Sequence, residues 1–242
     1  MSIRQDATDD FVSYQRRAMA TARAVFDGQP QHATDEQGGP MYLQALAVSR
    51  WIFWKRLAIT CQLLATRRGT ACLDFGCGFG LLLPYLSRRY DAVYAVDLVP
   101  RFAKDFLARW AAAYHEEPDN ITILSGGEEL ALPEHTLDLI LALDVLEHVE
   151  NLPQVVSQMA RLLKPDGLLF VSGPTENWLY RLGRWIGQRV AGPEFSGHYH
   201  RRNIYDIQDE LDRTFAVKIV RRLVYPLTFF VLLSAEPRPQ GR

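Results

Sequence analysis

The chain has 242 residues, 48% hydrophobic and 23% charged, which is enough to bury a substantial core in one large α/β domain. Its 27 basic and 28 acidic residues leave a formal net charge of -1, so no global basic field points to nucleic acid. The three cysteines, Cys61, Cys72 and Cys77, are odd in number, lack zinc-site spacing and suit a reducing compartment.

The N-terminal stretch "MSIRQDATDDFVSYQRR" has no apolar core of a leader peptide. Asp10 to Val25 is expected to form a helix, and Asp27 to Pro40 a loop rich in glycine and proline. Met41 to Ala65 has a helical pattern that is apolar on more than one face, so it is expected to pack against the main domain. Arg50, Lys55 and Arg56 interrupt it, and no window reaches about 18 uninterrupted apolar residues, so no membrane span is expected. A cytoplasmic location follows as the expectation.

From Thr70 the texture becomes an alternation of strands and helices. "ACLDF" reads as a strand ending in glycines, "LLLPYLSRR" as a helix and "AVYAVDL" as a second strand. A helix over Phe102 to His115 follows Pro100; "ITILSG" and "LDLILALDV" are the third and fourth strands. A helix over Leu152 to Leu163 ends before the turn signal Lys164-Pro165-Asp166-Gly167, and "LLFVSG" is the fifth strand. Helices are expected at Asn177 to Val190 and Ile204 to Phe215, then two strands, "VKIVRRLVY" and "TFFVLLSAE". Continuous apolar strands separated by helices imply a parallel sheet covered on both faces, and the last pair an antiparallel hairpin at one edge.

The chemistry concentrates in "LDFGCGFG", residues 73–80. In an open parallel sheet, ligands bind beyond the C-terminal ends of the strands, and glycines there let the backbone approach a ligand closely. A dinucleotide site prefers G-x-G-x-x-G; here the spacing is G-x-G-x-G and position 81 is leucine. Asp74 is the stronger clue. A carboxylate beside a pyrophosphate is repelled by roughly 4 kcal/mol for unit charges about 4 Å apart at an effective dielectric of about 20, and a cation is attracted by a similar amount. S-adenosylmethionine has an ammonium and a sulfonium but no phosphate. The second strand ends in Asp97, about 20 residues beyond the glycines, where a nucleoside-binding α/β fold places an acid on the ribose hydroxyls. Asp97 alone suits NAD equally well; Asp74 and Asp97 together favour the sulfonium cofactor.

With these motifs in place, the chain resembles the class I S-adenosylmethionine-dependent methyltransferases. "LDFGCGFG" is similar to their first motif, "AVDL" to their acidic second-strand end, "LDLILALDVLEHV" to their fourth strand, and "ARLLKPDGLLFVSGP" to their helix-turn-fifth-strand motif. The resemblance covers about residues 70–175, with the four motifs in the family's order. It implies a Rossmann-like α/β fold, with a seven-stranded, mostly parallel sheet, an antiparallel C-terminal strand and helices on both faces. The helical patterns before that region make residues 1–66 an expected N-terminal helical extension, or cap. Residues 67–242 would be the methyltransferase domain, with a substrate-covering insertion at about 174–215.

The cofactor residues it implies are Asp74, Gly76, Cys77, Gly78, Asp97 and Leu98, with Gly76 and Gly78 weighted above Gly80. Gly127 and Glu128 are assigned to the adenine side and Asp144 to the methionine end. At the adenine loop, Ser125-Gly126-Gly127-Glu128-Glu129, the sequence departs from the family's acid-plus-small pair. Asp144, Glu147 and His148 would share a face if a helical turn starts there, and could relay a proton or bind a divalent metal. The favoured reading is that this "EHV" segment shapes the cofactor pocket, and no metal is assigned.

The general-base candidates are His198 and His200 in "GHYHRR", which in an extended segment face the same side, and His148. Trp51, Phe53 and Trp54 beside Lys55 and Arg56 are similar to a membrane-interface signature, as is "NWLYRLGRWIGQRV"; the alternative is packed amphipathic helices. Asn-Pro-Pro-Tyr is absent after the fourth strand, where Asp144-Val145-Leu146-Glu147 stands, so the resemblance leans away from amide- and base-nitrogen methylation. A small apolar or amphiphilic acceptor, methylated on oxygen or carbon, is the expectation, with transient membrane-surface contact in keeping with it. The competing readings are a non-catalytic methyltransferase-like binding module and an NAD-dependent oxidoreductase.

Overall fold

A computed structural model describes residues 3–27, 42–43, 47–126, 131–175, 202–223, 228 and 230–238. Its strands are β1 (Gly69–Phe75), β2 (Tyr90–Asp97), β3 (Ile121–Ser125), β4 (Leu137–Leu143), β5 (Leu163–Pro174), β6 (Phe215–Leu223) and β7 (Phe230–Pro237). The described helices are α1 (Ile3–Phe26), α2 (Ala47–Leu64), α3 (Leu83–Ser87), α4 (Arg101–Tyr114), α5 (Leu152–Leu162) and α6 (Ile204–Leu211). The seven strands form one sheet in the order β3-β2-β1-β4-β5-β7-β6. β2 with β3, β1 with β4 and β4 with β5 pair in parallel, while β7 runs antiparallel to both β5 and β6. The expected α/β class and mostly parallel seven-stranded sheet are therefore what forms. The order reverses between β1 and β4, the switch point at which such sheets bind ligands.

The chain divides into two compact units. The first comprises Met1–Thr70 and Cys77–Glu128, the second Ala71–Gly76 and Glu129–Arg242, so the chain passes from one to the other inside the glycine turn. The first unit's core holds Trp110, Phe106, Leu64, Leu83 and Leu86, all fully buried. Here α1 packs on α4: the Tyr14 and Trp110 ring centroids are 5.5 Å apart, and the Arg17 guanidinium lies 4.5 Å from the Trp110 ring centre and 4.0 Å from that of Tyr114. The same arginine pairs with Glu116 at 2.9 Å, and the Trp110 indole N–H donates to that carboxylate at 3.1 Å.

Burial pushes the Glu116 carboxyl up, but hydrogen bonds from Arg17, Arg88 and Trp110 outweigh it and hold the group below the usual carboxylate range. A carboxyl lowered in this way stabilises the fold above its unfolded pKa and loses that contribution as pH falls through the folded value. Glu116→Gln is therefore expected to flatten the acid side of the stability profile, as measured by thermal unfolding from pH 7 down to pH 3. An acid limb unchanged from wild type would count against this pairing.

The second unit's core is made by β4, β5 and β7, with Leu139, Ile140, Leu141, Phe170, Val171 and Leu232 buried. The centres of these strands, residues 139–143, 168–171 and 230–233, are apolar runs, as expected of strands buried on both faces. α5 starts at Asn151, whose side chain accepts from the Gln154 N–H, with a proline in its first turn. α6 starts with a capping box between Asn203 and Asp206. The edge strand β6 exposes Lys218, Arg221 and Arg222 and carries an irregularity between Ile219 and Arg221, two devices that discourage edge-to-edge pairing.

Several element boundaries differ from expectation, and α1 already begins at Ile3 rather than at Asp10. The helix after the glycines covers only Leu83–Ser87, because Pro84 confines it to a start at that point. β5 begins at Leu163 rather than after the turn signal; its register jumps from Leu137↔Leu163 to Leu139↔Leu168, so residues 164–167 are absorbed as a bulge. α6 stops at Leu211, and Phe215 instead opens β6, paired with Pro237. The expected helix at Asn177 to Val190 lies outside the described residues.

Candidate functional site

In the second unit the site grows from the ends of β1 and β4. Asp74 lies in register with Leu141 and is 4% exposed. Burial, then the charges of Asp74 and Asp138, push the Cys72 thiol up, so this cysteine stays protonated and unreactive. Gly76 follows with φ +76°, and a Cβ there would sit 2.6 Å from the Cβ of Val145 and closer to one of its methyls. Only glycine allows both that backbone conformation and that approach. The turn after β1 is thereby pressed onto the residue that follows β4.

β4 terminates at Asp144, a non-glycine residue with φ 54°. Its N–H donates to the Ser172 carbonyl at 3.0 Å, and the Ser172 hydroxyl donates to its Oδ1 at 2.7 Å. Ser172 is fully buried on β5, so the Asp144 carboxylate is held by a rigid strand. Residues 146–148 then form a turn, with the His148 N–H donating to the Val145 carbonyl at 3.0 Å. Glu147 is 1% exposed whereas His148 is exposed. Asp144, Glu147 and His148 therefore do not share a helical face, because the left-handed Asp144 stops a helix from starting there. At the outer end of the same loop, Arg202 donates to the carbonyls of Val149 at 2.5 Å and Glu150 at 3.1 Å.

In the first unit the site grows from the end of β2. The Cys77 N–H donates to the Val96 carbonyl at 3.1 Å, and the Gly78 N–H to Asp97 Oδ2 at 2.8 Å. The other carboxylate oxygen, Oδ1, accepts the Val99 N–H at 2.9 Å. Asp97 is thus fixed by two backbone donors, and its carboxylate keeps lone pairs for hydroxyl donors. Leu98, beside it, is 81% exposed, a large apolar side chain presented at the surface. The Gly126 N–H donates to the Asp97 carbonyl at 2.6 Å, and a Cβ on Gly126 would press on Leu98, so the end of β3 is fitted to this corner. Gly78 and Gly80 have φ +56° and +85°. Cys77 is buried, and what it contributes to the turn is backbone.

Segment 96–100 of the first unit and segment 74–76 of the second each carry one carboxylate and no lysine or arginine. Gly127, Glu128, His198 and His200, and the aromatic-basic stretch at 178–190, lie outside the described residues. Among the described residues no group of three or more His, Cys, Asp or Glu is arranged to hold a metal ion. Arg202 ends the polar stretch expected to face the substrate, whereas Ser172 and Val145 were not singled out within the motifs that contain them. The one sequence signal for Ser172 is a lone hydroxyl in an otherwise apolar strand.

Residues 73–171 match the methyltransferase domain family. The chain is 35% identical over 153 residues to a ubiquinone biosynthesis O-methyltransferase of Bradyrhizobium diazoefficiens, covering 60% of this chain and 56% of that protein. It thus spans about half the length of the curated relatives it matches. Among solved structures, it is similar in fold to the magnesium protoporphyrin IX methyltransferase of Synechocystis PCC 6803 with bound S-adenosylhomocysteine. That likeness has a TM-score of 0.61 and 20% identity and covers 89% of this chain and 98% of the other. The N-methyltransferase NodS of Bradyrhizobium japonicum, also with S-adenosylhomocysteine, gives a TM-score of 0.57 at 16% identity over 78% of this chain and 88% of that one.

Proposed function

We propose, from the match of residues 73–171 to the methyltransferase domain family and the fold described above, that this chain transfers a methyl group from S-adenosylmethionine to a small apolar or amphiphilic acceptor, on oxygen or carbon. The observation that carries the reading is the Asp97 carboxylate, pinned by the Gly78 and Val99 N–H groups at the end of β2, in a chain whose glycine turn begins with a second acid, Asp74. Curated relatives named as ubiquinone biosynthesis O-methyltransferases support an oxygen acceptor of low polarity.

In this proposal Asp97 accepts hydrogen bonds from the ribose hydroxyls and Leu98 covers the adenine, with Gly127 and Glu128 at its edge. Gly76, Cys77 and Gly78 present backbone. Asp74 and Asp144 attract the cationic amino-acid end. The cofactor when bound supplies a methyl group activated by its sulfonium. The chain's task is to align the acceptor and exclude water. A hydroxyl acceptor must lose its proton, and His148, His198 and His200 are the proposed bases. Residues 174–215 are proposed to cover the acceptor, and residues 1–66 to form the N-terminal helical extension.

No described helix is long and apolar enough to cross a membrane. The proposal includes a cytoplasmic location with transient membrane-surface contact, supported by Trp51, which is 56% exposed beside the exposed Lys55.

Ser172→Ala is expected to raise the KM for S-adenosylmethionine about tenfold, because hydrogen bonds to a charged carboxylate are worth about 1.5–3 kcal/mol. Ser172→Thr should retain most of the affinity. Steady-state kinetics on both variants checks this, and equal KM values in wild type and Ser172→Ala would remove Ser172 as a positioning residue.

The function itself is tested by calorimetry with S-adenosylmethionine, S-adenosylhomocysteine and NAD, followed by transfer of labelled methyl to hydroxylated aromatic acceptors with apolar tails. Binding of the first two with label transfer is the expected result. Binding without transfer to any acceptor would favour the non-catalytic module, and binding of NAD alone the oxidoreductase.

A further inference from the structure

We propose that α1 and Tyr42 are the rear support of the glycine turn, so that cofactor affinity is set in part by aromatic residues that never touch the cofactor. The inference rests on the reading above, in which the turn holds S-adenosylmethionine. Phe79 sits between two glycines of positive φ, yet its side chain is only 2% exposed. It packs edge-on against Phe26 of α1 at 5.0 Å between ring centres, against Tyr42 at 5.8 Å and against Phe106 of α4 at 6.2 Å. Two residues on, the buried Tyr14 hydroxyl of α1 donates to the Leu81 carbonyl. The turn is thus gripped on either side of Gly80 by Phe26 and Tyr14 of α1, each more than fifty positions earlier in the chain.

Such a grip matters because glycine has the most backbone freedom to lose on ordering. A turn built as Gly-Cys-Gly-Phe-Gly must be held in its binding conformation before the ligand arrives, or ligand binding bears the cost of ordering it. The sheet side supplies the Val96 and Asp97 contacts to Cys77 and Gly78. Phe79 is the turn's single large apolar side chain, and it points into an aromatic cluster. Offset and edge-to-face ring pairs of this kind have defined geometry, so they fix orientation as well as bury area. α1 is itself held on α4 by Arg17, through the Trp110 and Tyr114 rings and the Glu116 carboxylate, and by the Tyr114 hydroxyl donating to the Arg17 carbonyl at 3.2 Å.

The test uses the full chain and calorimetry with S-adenosylhomocysteine at a temperature where every variant is folded. Phe26→Ala is expected to weaken binding about tenfold, Phe26→Leu to recover part of the loss, and Tyr14→Phe to weaken it severalfold. Met159→Ala, in a buried position of α5, is the control for general destabilisation and should leave affinity within about twofold. Amide exchange at Gly78 to Leu81 should quicken in Phe26→Ala and not in Met159→Ala. In turnover, the KM for the cofactor should rise in Phe26→Ala with kcat little changed.

If Phe26→Ala does not fold, Tyr14→Phe and Phe26→Leu decide the matter. Wild-type affinity in folded Tyr14→Phe and Phe26 variants overturns the proposal while leaving the cofactor reading intact. An equal loss of affinity in Met159→Ala overturns it as well, as a mere stability effect. Absence of binding by the wild type removes the cofactor reading and this proposal with it.

Discussion

Asp97→Ala is expected to weaken S-adenosylmethionine binding by about 100-fold with little loss of folded protein. In the proposed complex the carboxylate accepts two ribose hydroxyls, and losing charge-assisted hydrogen bonds of about 1.5–3 kcal/mol each gives about 3 kcal/mol or more, or two decades in Kd. The same substitution frees the Gly78 and Val99 N–H groups, which donate to the two carboxylate oxygens. Asp97→Asn separates these effects. Its amide oxygen can still accept one backbone N–H, so the turn stays partly held, while the charge and one acceptor are gone. A tenfold loss for Asn beside 100-fold for Ala is the expected pattern in side-by-side calorimetry. Wild-type affinity in Asp97→Ala would remove the ribose assignment.

Gly76→Ala is expected to be the most damaging alanine substitution among the described glycines. A non-glycine residue in the left-handed region costs roughly 1–2 kcal/mol, and forcing a methyl into a packed position roughly 1–3 kcal/mol more. The midpoint of thermal unfolding should fall by about 10 °C for a chain of this size, and cofactor binding should be lost with the turn geometry. The crowding comes from one side chain, Val145. Introduced into a Val145→Gly background, which removes the Val145 Cβ as well as its methyls, Gly76→Ala should therefore cost only its backbone part, about half the original effect. A thermal-unfolding double-mutant cycle reads this directly, and additive effects would mean that Val145 is not what the glycine avoids.

Among the described residues from 69 to 237, the order of strands and helices was legible because each element is announced locally. Apolar runs such as "LILAL" mark buried strands, and glycines mark the turn beyond β1. The acids at the ends of β1 and β2 were legible for the same reason, since a carboxylate beside a glycine turn stands out in an apolar strand. The element ends were less legible. Whether "KPDG" is a loop or a bulge is settled by its partner strand, and β4 supplies pairing on both sides of it. Phe215 could end a helix or begin a strand, and its pairing with Pro237 decides.

The amino-acid sequence by itself determined the fold class, the strand-ending glycine turn and the placing of an acid at the end of β1 and another at the end of β2. Those depend on residue type and on spacing along the chain. Only the tertiary structure decided that Gly76 must stay bare against Val145, that Ser172 locks a left-handed Asp144, and that Glu147 turns inward while His148 turns out. It also decided that α1 reaches the turn through Phe26, Phe79 and Tyr14. Each of these is a contact between residues far apart in the chain. No local periodicity encodes such contacts, because they exist only once the sheet order has brought those residues to the same place.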